Sequence, residues 1–87
     1  MKTIGLIGGM SWQSTALYYK WINELVGEKM GGLHSAKIAM VSVDFQELED
    51  LMHHNRWEEI GDILSRAARR VEAAGADFTL LLSLIHI

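Results

Sequence analysis

Apolar residues along the chain form three short runs, separated by two longer stretches in which they recur every three or four positions. The first run, Thr3-Ile4-Gly5-Leu6-Ile7, is β-rich and stops at Gly8-Gly9, which predicts a buried strand ending in a tight turn. Ser11 is placed to cap a helix over residues 12–30, where Leu17, Tyr18, Trp21, Ile22, Leu25 and Val26 follow the 3.6-residue period. Gly31-Gly32 then ends that helix, as C-terminal glycines do. Residues 36–43 are a second strand with little polar interruption, as in parallel sheets covered on both faces.

Asp44 followed by Glu47 matches a capping pattern and opens a short helix through about Met52. Asn55 is a candidate cap for a longer helix, in which Trp57, Ile60, Leu64, Ala67, Ala68 and Val71 recur at spacings of three and four. Gly75 ends it, and residues 77–85 predict a third strand. The order is therefore β-α-β-α-α-β, with crossovers long enough for parallel pairing. This is an α/β fold, a three-stranded parallel sheet with right-handed connections that place helices on both faces. Neither proline nor a low-complexity linker divides the chain. In open parallel sheets, ligands sit outside the carboxyl ends of the strands. Here those ends are residues 8–11, residues 42–45 and the region around Ser83.

Composition narrows the classes. Eight Lys+Arg against 11 Asp+Glu give a net charge of -3 over 87 residues. That balance argues against a nucleic-acid module and against a polybasic membrane anchor. Without cysteine there is no disulfide framework, thiolate metal site or thiol nucleophile. The longest apolar run, residues 78–87, falls short of the roughly 20 residues that span a bilayer, and no signal-peptide core forms near Met1. A cytoplasmic protein is the expectation.

The turn at residues 8–11 joins a strand to a helix N-terminus, where backbone N–H groups and the helix dipole favour an anion. It is neither a G-x-G-x-x-G fingerprint nor a P-loop, and two glycines also serve simply as a tight turn. Asp44 fits a ligand-orienting role or a helix cap, the cap being favoured. His53-His54 is not read as a metal pair, because adjacent helical residues diverge and no carboxylate stands at a rescuing spacing. His34 and His86 are isolated. Glu47, Glu49, Asp50, Glu58 and Glu59 are read as solvated helix faces, and Trp12, Trp21 and Trp57 as core packing. One reading is thus a stand-alone α/β module that holds a small carboxylate or phosphate at residues 8–11.

The residues themselves carry a further resemblance. Gly8-Gly9-Met10-Ser11-Trp12, Ser14-Thr15, Tyr18-Tyr19, Gly31-Gly32-Leu33-His34-Ser35, Ser42-Val43-Asp44-Phe45, Gly61-Asp62-Ile63-Leu64 and Ala74-Gly75-Ala76-Asp77 are similar to the aspartate/glutamate racemase family over residues 1–81. The resemblance implies racemisation of a small acidic amino acid without pyridoxal phosphate or metal. It implies two similar α/β domains, each supplying one acid/base residue, usually a thiol, to opposite faces of the α-carbon. It places Met10 and Ser11 beside the substrate and one acid/base position on Ser83, the family's following Asn-Thr pair falling on Leu84 and Ile85. A hydroxyl and two aliphatic side chains depart from that pattern.

Residues 1–81 are thus expected to be the N-terminal part of an incomplete first domain, and residues 82–87 a divergent tail left by truncation. The chain is expected to be inactive alone. The parent is expected to be a homodimer, and the isolated chain to self-associate through the open edge of its third strand.

Overall fold

The computed structural model describes residues 1–82. Six elements follow in the order β1 (Thr3–Gly8), α1 (Trp12–Met30), β2 (Lys37–Ser42), α2 (Phe45–His53), α3 (Trp57–Ala73) and β3 (Phe78–Leu81). The strands form one open parallel sheet in the order β2-β1-β3, so the first strand is the central one. Its four residues from Gly5 to Gly8 are all buried, as an uninterrupted apolar run requires.

Alternation along β1 sends neighbouring side chains to opposite faces. On the face shared by Gly5 and Ile7 lies α3: Ile7, Ala67 and Val71 form the core cluster, with Ala39, Val41, Val43, Leu64, Ala68 and Ala76 packed around it. Gly5 is needed there because a Cβ would stand 2.8 Å from Thr79 Oγ1 and 2.9 Å from Ala76 Cβ. On the other face lies α1, where a Cβ on Gly8 would meet Thr15 Cγ2 at 2.5 Å. Helices therefore cover both faces. No helix among the described residues is long and apolar enough to cross a membrane.

Local chemistry sets the boundaries. Ser11 is the N-cap of α1, and Gly31 ends the helix at φ 71°, its N–H returning to the Gly27 carbonyl. Gly75, at φ 97°, closes α3: its N–H donates to Glu72 and that of Ala76 to Val71. This is the paired bonding of a left-handed helix stop. The start of β1 is held by Asp77, whose N–H donates to the Thr3 carbonyl while its carboxylate accepts the Thr3 N–H at 2.6 Å.

Several expectations are corrected. Asn55 does not cap α3. It sits at φ 54° and terminates α2, its N–H donating to Met52 and that of Arg56 to Leu51, so α3 begins after Arg56 without a side-chain cap. The tryptophans are not core: Trp12, Trp21 and Trp57 are 68%, 50% and 59% exposed. Leu17 and Leu25 are also exposed, because α1 meets the sheet through Ser14 and Thr15 and the half-buried Tyr18, Ile22 and Val26. The second strand is one residue shorter at each end than expected. The third is strand from Phe78 to Leu81, so Asp77 and Leu82 fall outside it, and residues 83–85 of its expected span lie outside the described residues.

Gly5→Ala is expected to destabilise the chain by about 1–3 kcal/mol, since the new methyl has no room between β1 and α3. Urea unfolding followed by circular dichroism checks this.

Candidate functional site

The register sets Gly8 beside Ser42 and Ile7 beside Leu81, so the three strands end level along one edge of the sheet. Two of the loops leaving that edge are tied together. The Gly8 carbonyl accepts the Val43 N–H at 2.8 Å. Gly9 then turns at φ 98°, and a Cβ there would stand 2.6 Å from Val43 N and 2.7 Å from Ser42 Oγ. Only glycine fits both the conformation and the space.

Thr15 shapes the rest of the turn. Its side chain is buried, and its Oγ1 accepts the Gly9 N–H at 3.2 Å while donating to the Ser11 carbonyl at 3.1 Å. One hydroxyl thus fixes both ends of residues 9–11. Sequence reasoning missed this role. Its only signal was a small polar pair, Ser14-Thr15, at helix positions that turn out to face the sheet.

Ser11 Oγ accepts the Ser14 N–H at 3.4 Å, long for such a bond, and the hydroxyl's own proton is not used in it. Met10 is half-buried in the turn. No acidic side chain stands in the first turn of α1, so nothing there offsets the positive end of its dipole. The turn is therefore electrostatically suited to a carboxylate or phosphate.

The other candidates resolve as follows. Asp44 caps α2, its Oδ1 accepting the Gln46 N–H at 3.1 Å. Glu49 does stand four residues before His53, correcting the expectation that no carboxylate was suitably spaced, and pairs with it at 3.5 Å. His54 Nδ1 lies 2.7 Å from the Asp50 carbonyl. Among the described residues no group of three His, Cys, Asp or Glu side chains gathers as a metal site would need. Glu59 pairs with Arg56, and Asp50 accepts from Gln46. Ser83 and His86 lie outside the described residues.

Two grooves flank β2. One of 280 Å³ on the α3 side brings Asp44, Glu47, Arg66 and Arg70 together with Ser42. The other, of 320 Å³, runs between α1 and β2 and is lined by Trp12, Tyr19 and Met40. Neither is lined by Met10 or Ser11.

No family model matches this sequence. The crystal structure of a Yersinia pestis protein, described as a "putative Asp/Glu Racemase", is similar at 49% identity and a TM-score of 0.90, over 93% of this chain. The match takes in 35% of that protein, so the chain spans about a third of its length. The resemblance read from residues 1–81 is borne out at the level of fold and sequence.

Thr15→Val is expected to cost about 1–3 kcal/mol, because it leaves the buried Gly9 N–H without its acceptor. Thr15→Ser keeps the hydroxyl and costs less. Paired urea titrations of the two variants check the ordering.

Proposed function

We propose that this chain is one part of a cofactor-independent racemase that exchanges the α-proton of a small acidic amino acid. The supporting observation is the 49% identity and 0.90 TM-score over 93% of the chain, joined to an α1 N-terminus that carries no acidic side chain. In this reading the substrate carboxylate rests at residues 10–13, with Met10 beside it and the Ser11 hydroxyl donating to it. Removing the α-proton moves negative charge onto that carboxylate, and the positive end of α1 stabilises the charge as it develops. The substrate's own carboxylate then acts as the electron sink, so neither pyridoxal phosphate nor a metal is called for.

Inversion needs an acid/base group on each face of the α-carbon, because a single group returns the proton to the side it came from. By resemblance one such position is Ser83. An unassisted serine hydroxyl is a far weaker acid than the usual thiol, whose pKa near 8.5 a site can lower. The opposing group belongs to a second α/β half beyond these residues. The isolated chain is therefore proposed to be inactive.

The test grafts residues 1–81 in place of the matched segment of the Yersinia pestis protein, with the unmodified protein as reference. Deuterium incorporation at the α-carbon of aspartate and glutamate is followed by NMR. The graft is expected to retain the reference's exchange, and the isolated chain to show none. A folded graft that binds a dicarboxylate but exchanges no proton would overturn the racemase reading in favour of a stand-alone anion-binding module. Exchange by the isolated chain, lost in Ser83→Ala, would overturn its inactivity.

A further inference from the structure

The groove on the α3 side of β2 is separate from the β1–α1 turn and differs from it in charge. Every residue that lines it falls within 41–70, so β2 and the crossover that leaves it build the groove, on the opposite side of β1 from β3. Its floor is apolar, because Val41, Val43 and Ala67 belong to the packing of the core cluster. Its charged residues are four. Arg66 and Arg70 come from α3, and Asp44 and Glu47 from the start of α2.

Arg66 and Arg70 stand one turn apart on α3, where like charges repel. An ion pair would relieve this, and carboxylates line the same groove. Among the described residues, however, neither arginine pairs with one. Arg66 Nε donates to the Asp62 carbonyl at 3.4 Å, and the Arg70 side chain has no partner among those residues. Asp44 uses one oxygen to cap α2, and the Glu47 side chain makes no hydrogen bond or ion pair among them. Two positive and two negative groups thus line one 280 Å³ space without closing on each other.

Charge selects the occupant. A simple anion drawn to the arginines also meets two carboxylates, and a simple cation drawn to the carboxylates also meets two guanidinium groups. A small dipolar ion satisfies both walls at once. The apolar floor accepts a short hydrocarbon side chain.

We propose that this groove binds a free aliphatic α-amino acid as its zwitterion, the carboxylate on Arg66 and Arg70 and the ammonium towards Asp44 and Glu47. Guanidinium groups suit the first contact because their planar forks donate paired bonds to a carboxylate. Aspartate suits the groove less, since its second carboxylate would meet either the acidic wall or the apolar floor. The site is therefore independent of the turn at residues 8–11 and does not rest on the racemase reading.

Amide NMR of the labelled full chain, titrated at constant ionic strength with L-alanine, acetate and methylammonium, tests this. L-Alanine is expected to give saturable shifts at Val41, Ser42, Val43, Ala67 and Arg70, and the two single-charge probes to bind more weakly. Arg70→Gln changes an exposed side chain and is expected to weaken L-alanine by about tenfold, as loss of a charged hydrogen bond does, with the spectrum elsewhere like the parent's. Glu47→Gln is expected to weaken it as well. No saturable shift with L-alanine would overturn the proposal. So would acetate binding as tightly as L-alanine, which marks a simple anion site, or L-alanine binding unchanged in folded Arg70→Gln.

Discussion

The fold depends on how closely its first strand is approached from both sides. β1 pairs with β2 and β3, and two of its six residues are glycines three apart, which therefore open onto opposite faces. Gly5 lets Val71, Thr79 and Ala76 close on one face, and Gly8 admits Thr15 of α1 on the other. Few side chains are fully buried: Leu6, Leu48 and Val71 are the large ones. With so small an interior, close approach at these two glycines matters more than it would in a larger domain.

The same packing shapes the edge where the strands end. Because Gly8 brings α1 against the strand, Thr15 is near enough to hold Gly9 and Ser11, and the chain turns straight from buried strand into helix N-terminus. Because Gly9 lies against Val43, this turn and the loop that Asp44 closes are a single tied surface. An anion at the start of α1 would therefore meet a pre-formed turn, with little ordering cost on binding.

Element order, strand pairing direction, the ends of α1 and the end of α3 were legible because they rest on local causes: Ser11 as cap, Gly31 and Gly75 as stops, and apolar runs as strands. Asp44 was read correctly as a cap for the same reason. The errors share another cause. Asparagine serves equally as an N-cap and as a left-handed helix stop, and between two helices only the backbone path decides which, so Asn55 was assigned to the wrong helix. Leu17, Trp21 and Leu25 satisfy an apolar period, but a period does not tell which part of a wide stripe a narrow sheet covers. Thr15 was overlooked because its importance lies in a contact with Gly9, six residues back, which no spacing rule announces. Ser83, identified through resemblance alone, lies outside the described residues.

The proposed function requires the β1–α1 turn to hold the carboxylate of an acidic amino acid. The most direct measurement is an amide NMR titration of the labelled chain with L-aspartate. The account predicts saturable shifts concentrated at Gly9, Met10, Ser11, Trp12 and Gln13. Shifts confined to the groove of Arg66 and Arg70, with the turn unmoved, would contradict it.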